Sequence, residues 1–132
     1  MKRVLIVDDE KIILDVLQRI LTRLGYETVI SDSGERALER FAADMFDLVL
    51  LDVMMPGMDG FEVAKKMKSS KPKQKIVMVT GMGPEAASSQ AHTESVTVQE
   101  VLSKPFSYNN VRSVLSQVLG DHGSLCTSET AA

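Results

Sequence analysis

Five residues of this chain have the types and spacing to do chemistry together: Asp8, Asp9, Asp52, Thr80 and Lys104. Each stands at the end of a short apolar run. Asp8 and Asp9 follow Val4-Leu5-Ile6-Val7, and Asp52 follows Leu48-Val49-Leu50-Leu51. Thr80 follows Ile76-Val77-Met78-Val79, and Lys104 closely follows Val101-Leu102. Three carboxylates brought together repel one another unless a cation sits among them. Hard oxygen ligands with no Cys or His nearby in sequence favour Mg²⁺ or a similar ion, with Mn²⁺ able to substitute. A metal held by acids, with a hydroxyl and a lysine opposite, suits a phosphoryl group in transfer. The metal and lysine offset its charge, and the hydroxyl hydrogen-bonds an oxygen. An aspartate can itself be the nucleophile, forming an acyl phosphate. Asp52 suits that role best, because its strand is expected to be central and the following Met55-Pro56-Gly57 and Asp59-Gly60 are turn residues.

Each residue alone has a plainer reading. Asp8-Asp9-Glu10 would sit well at the positive end of a helix. Asp52 could open a turn, Thr80 could be a strand-end hydroxyl, and Lys104 could be solvated. What sets the five apart is their common place at strand carboxyl ends. An unpaired charge is expensive inside a strand, and in open parallel sheets ligands bind in the crevice beyond those ends.

The elements that must position these residues are legible as changes of period. Strand 1 is expected over residues 3–7. Ile13, Val16, Leu17, Ile20, Leu21 and Leu24 then fall on one helical face, closed by Gly25. Strand 2 is expected over 27–30. A helix capped by Ser33 follows, with Ala37, Leu38, Phe41 and Ala42 inward. Strand 3 ends at Asp52, and helix 3 spans about 60–67 with Phe61, Ala64 and Met67 inward. Residues 68–75 read as a basic loop before strand 4, which ends at Thr80-Gly81. Pro84 and Glu85 suit a helix start, but residues 88–94 have no apolar stripe. Strand 5 is expected over 100–103. A helix capped by Ser107, carrying Val111, Val114, Leu115, Val118 and Leu119, closes at Gly120. The alternation implies an α/β fold: a five-stranded parallel sheet of flavodoxin-like order 2-1-3-4-5, with helices on both faces. Residues 1–120 are expected to form one domain, and 121–132 a disordered tail or the start of a linker.

Composition sets the frame. The chain has 132 residues, enough for one domain with a proper core. A net charge of −3 gives no strong field toward nucleic acid or anionic lipid. No apolar run reaches membrane-spanning length, and the apolar start is too short for a signal peptide, so a cytoplasmic location is expected. The single cysteine, Cys126, is read as incidental, and His92 and His122 as isolated. The methionines at 54, 55, 58 and 82 are read as adaptable packing rather than a soft-metal site. The lysines between 65 and 75 are read as a solvated face.

With these residues in place, V-L-I-V-D-D-E at the start, L-L-D-V-M-M-P-G-M-D-G, V-M-V-T-G and L-S-K-P-F resemble the receiver domain of two-component response regulators, single-domain and chemotaxis-regulator-like, over about residues 2–119. The resemblance implies that Asp52 accepts a phosphoryl group from a phosphohistidine on a sensor histidine kinase or histidine phosphotransfer protein. It implies that Asp9, Asp52 and the backbone carbonyl of Met54 hold Mg²⁺, with Asp8 acting through water. Lys104 would contact the phosphoryl group, Thr80 would move toward it, and the Lys104–Pro105 bond would be cis. The readout would be a surface near helix 4, strand 5 and helix 5, acting on a downstream protein or output domain, with no direct contact to nucleic acid or membrane.

Two departures from the family pattern stand out. Val101 replaces the usual switch aromatic, and Glu94-Ser95-Val96 replaces a Gly-Ala turn. Residues 83–99 are therefore expected to be mobile or irregular. The competing readings are a pseudo-receiver that is never phosphorylated, and a receiver cut from a larger regulator or hybrid kinase. A haloacid-dehalogenase-type phosphatase would want an aspartate where Met54 stands. A flavodoxin-type flavin domain would want a Ser/Thr/Gly loop where Asp8-Asp9-Glu10 stands.

Overall fold

The computed structural model describes residues 1–93 and 95–120. Five strands alternate with five helices: β1 (Arg3–Val7), α1 (Lys11–Arg23), β2 (Glu27–Ser31), α2 (Gly34–Ala43), β3 (Leu48–Asp52), α3 (Gly60–Ser70), β4 (Ile76–Thr80), α4 (Pro84–Thr93), β5 (Glu100–Ser103) and α5 (Tyr108–Leu119). The strands pair in parallel in the order β2-β1-β3-β4-β5. This is the doubly wound architecture expected from the alternation. The register brings the strand ends level: Val7 lies opposite Leu51, Asp52 opposite Val79, and Thr80 opposite Ser103. Alternate residues of the central strands feed two cores. Leu5, Val49, Leu51 and Met78 pack under α2 and α3, while Val4, Ile6, Leu50 and Val77 pack under α1 and α5. A sheet covered on both faces needs apolar side chains at both alternating positions. That is why β3 and β4 read as unbroken apolar runs.

Helix boundaries follow local chemistry. Ser33 caps α2 by accepting a hydrogen bond from the Arg36 N–H. Asp59 caps α3 through the Glu62 N–H, at 2.9 Å. Ser107 and Asn110 form a reciprocal capping box on α5. Gly25 and Gly120 take positive φ just beyond α1 and α5. Three expectations need correction. In α1 the buried line is Leu14, Leu17 and Leu21, whereas Val16 is exposed. The helix is apolar over more than half its circumference, so spacing alone did not locate the centre of the stripe. In α2, Ala42 is exposed, because it lies well round the helix from Ala37. In α3, Lys68–Ser70 are helical rather than loop, and Lys71 anchors the end by donating to the carbonyls of Phe41 and Asp44.

The expectation of irregularity over 83–99 also narrows, since residues 84–93 form a regular helix. Its buried stripe is Ala87 and Ala91, extended by Val96. Alanine is too weakly apolar to mark a face in the sequence. Beyond α4, Ser95 takes φ +59, while its N–H reaches His92 O and the Val96 N–H reaches Ala91 O. This left-handed helix stop is usually occupied by glycine. Ser95→Gly is therefore expected to stabilise the protein by about 1 kcal/mol, as a higher urea midpoint at unchanged slope. An unchanged or lower midpoint would contradict this. Residues 121–132, with His122 and Cys126, and Glu94 lie outside the described residues.

Candidate functional site

The carboxyl edge of the sheet gathers the five residues. Asp52 ends β3 and is only 4% exposed. Asp8, just past β1, is 1% exposed, while Asp9 is open to solvent. One carboxylate oxygen from each of these three lies within 4.8 Å of the others. Lys104, following β5, reaches into the group. Its Nζ lies 2.9 Å from Asp8 Oδ2, 3.2 Å from Glu10 Oε1 and 3.6 Å from Asp52 Oδ1. The Lys104–Pro105 bond is cis. Thr80 is buried at the end of β4, and its Oγ1 accepts the Met82 N–H at 3.1 Å. That bond leaves the hydroxyl proton available to a ligand.

The electrostatics are unbalanced. Burial, then the neighbouring charge of Asp8, pushes the Asp52 carboxyl up to about 6; Lys104 and the Met54 N–H pull the other way. Burial opposes the Lys104 ammonium, but its hydrogen bond to Asp8 and the charges of Asp52 and Asp8 outweigh it and raise its pKa. Asp8 is held in place by the Glu10 N–H on Oδ1, at 2.9 Å. The two buried carboxylates, Asp8 and Asp52, thus share one ammonium ion with Glu10, while Asp9 has no ion pair with it among the described residues. A hard divalent cation fits this donor set, because its charge would offset both the burial and the repulsion that raise Asp52.

The remaining candidates sit around this centre. The Met54 side chain is exposed, and its N–H approaches Asp52 Oδ1 at 3.4 Å. Val101 lies away from the acids, half-buried and packed with Met82 and Val98 against the core cluster that holds Met78, Ala91 and Val96. Gly60, read in the sequence only as a turn residue, is a further participant. Its N–H bonds Val53 O at 2.8 Å, and a Cβ built there would lie 2.2 Å from the carbonyl oxygen of Asp52. Glu10 is another, visible in sequence only as the third acid of a run. Its contact with Lys104, ninety-four residues on, required the fold.

Comparison with known proteins places these features. The profile of the response regulator receiver domain matches residues 4–116. The response regulator receiver protein CpdR of Brucella abortus is 32% identical over 119 residues, covering 90% of this chain and 98% of CpdR. The alkaline phosphatase synthesis transcriptional regulatory protein PhoP of Bacillus subtilis is 34% identical over 118 residues, covering 89% of this chain. This chain spans only 48% of PhoP's length. Among solved structures, the response regulator TrrA of Thermotoga maritima, in complex with Mg²⁺-BeF, aligns with a TM-score of 0.80 at 33% identity, over 89% of this chain and 99% of that one. TrrA in complex with the histidine kinase ThkA aligns with a TM-score of 0.79, at the same identity, over 90% and 99%.

Proposed function

This chain belongs to the response regulator receiver domain family, a signalling domain of two-component systems, and from that premise we propose that Asp52 is its phosphoacceptor. The carrying observation is the convergence of Asp8, Asp9 and Asp52 within 4.8 Å, with Lys104 against them. Asp52 is the best nucleophile of the three, because it is buried at the end of the central strand and ordered by the Met54 N–H. Asp9 and Asp52, with the Met54 carbonyl, would hold Mg²⁺, and Asp8 would act beside them; Mn²⁺ would substitute. When bound, the ion offsets the charge of the incoming phosphoryl oxygens. The carboxylate oxygen of Asp52 attacks phosphorus, the donor's histidine nitrogen leaves, and Lys104 turns from Asp8 and Glu10 toward the new phosphate. Thr80 offers its hydroxyl proton to the same group. Hydrolysis of the acyl phosphate resets the domain, so the catalysis is confined to its own modification.

The phosphodonor is a histidine kinase or histidine phosphotransfer protein. The output is a partner protein or an attached domain, read from α4, β5 and α5. Residues 1–120 form the domain. Among the described residues no helix is long and apolar enough to cross a membrane, and we place the domain in the cytoplasm. Val101 carries less bulk than the aromatic usual at that position, so the movement of Thr80 would reach the surface through the packing of Val101, Met82 and Val98.

Beryllium fluoride with Mg²⁺ tests this reading. The amide resonances of residues 52–54, 80–82 and 101–104 are expected to shift together in the wild type. They should stay in place in Asp52→Ala and shift only at much higher Mg²⁺ in Asp9→Asn. Unmoved resonances in the wild type would favour a pseudo-receiver.

A further inference from the structure

The edge of the sheet opposite the acid cluster holds a second polar site. A cavity of about 690 Å³ opens between the end of α3, the loop before β4 and the loop before β5. Lys65, Lys68 and Lys73 line it, together with Ser69, Thr97 and Gln99, over a floor formed by the buried Val96. We propose that this cavity binds a small phosphate-bearing anion of the pyrophosphate or nucleotide type. The proposal does not rest on the chemistry of Asp52.

Charge distribution is the first support. Residues 65–75 hold six of the fifteen Lys and Arg residues and no acid, so the rest of the chain sets nine basic against eighteen acidic side chains. An acidic protein thus concentrates positive charge on one end, away from its acid cluster. Such an arrangement steers anions to the basic end. The second support is unpaired charge. Neither Lys68 nor Lys73 has an acidic partner among the described residues. Lys68 is partly buried, and that burial lowers its pKa. A desolvated ammonium without a counter-ion is stabilised by a bound anion.

The neutral groups point the same way. Gln99 accepts the Ile76 N–H on its Oε1 at 2.7 Å, which fixes the amide and leaves its two Nε2 N–H donors for a ligand. Ser69 and Thr97 add hydroxyl donors. Lysines near a helix carboxyl end also complement the helix dipole. That accounts for Lys68 but not for Lys73 or Gln99, which lie on loops. The volume falls within the range typical of small-ligand sites.

The test is a calorimetric and amide-shift titration of the whole chain with sodium pyrophosphate in EDTA at low salt. Saturable binding is expected, with shifts confined to residues 65–73 and 95–99. Lys68→Gln and Lys73→Gln should each weaken it roughly tenfold, the loss of one charge-assisted hydrogen bond. Lys66→Gln, on the same helix but outside the cavity lining, should leave it unchanged. No saturation, shifts centred on Lys104, or equal weakening by Lys66→Gln would each overturn the proposal. So would binding of a poly-glutamate peptide without binding of pyrophosphate.

Discussion

Asp52→Asn is expected to make the metal-free protein more stable, by about 2–3 kcal/mol at pH 7.5. The Asp52 carboxyl has its usual value of 3.8 in the unfolded chain and about 6 in the folded one. The folded state therefore binds more protons between those values, and stability falls as pH rises through them. The Asp52 contribution is most favourable below about pH 4 and is lost above about pH 6, where the folded protein must hold a buried, repelled carboxylate. Asparagine keeps an acceptor for the Met54 N–H and removes the charge. Urea unfolding in EDTA should show the two proteins converging near pH 3–4 and separating as pH rises. The same variant should lose all phosphoryl uptake, so stability and function move in opposite directions, as expected where a site holds strain for its ligand. An Asn variant less stable than wild type at pH 7.5 would contradict this electrostatic account.

Gly60→Ala should be the most damaging single methyl in the domain, lowering stability by about 3 kcal/mol. Gly60 opens α3 directly beneath the end of β3. Its added Cβ would lie 2.2 Å from Asp52 O and 2.8 Å from Val53 Cα. Both are backbone atoms, so no side chain can rotate away. The helix start would have to retreat, breaking the 2.8 Å bond from the Gly60 N–H to Val53 O. Because the obstructed atom belongs to Asp52 itself, the retreat would also displace the phosphoacceptor. A urea midpoint within experimental error of wild type would show that α3 can slide without cost. By contrast, a Cβ at Gly81 meets nothing within 4 Å, so Gly81→Ala serves as the control.

These two positions show what the sequence carries and what it does not. Asp52 was legible because a charge can end an apolar run but cannot interrupt it. The same logic located Asp8 and Lys104, Thr80 was found as the hydroxyl closing the next apolar run, and the five-strand alternation favoured the observed strand order. Gly60 was legible only as a turn residue, since its closeness to Asp52 is a property of how α3 docks. Individual pairings were hidden even where convergence was expected: Lys104 also bonds Glu10, ninety-four positions away. Helix α4 failed to announce itself because its inward face is alanine. In α1 an excess of apolar residues obscured which of them faced the core. Periodicity works when one face is distinctly apolar, and it fails when a face is too weak or the whole helix too rich.

The most direct measurement is intact-mass analysis after incubation with acetyl phosphate and Mg²⁺, with the Asp52→Asn protein in parallel. The account predicts one added phosphoryl group on the wild type, none on the variant, and none on the wild type in EDTA. Equal uptake by the variant, or uptake indifferent to EDTA, would place the chemistry elsewhere and contradict it.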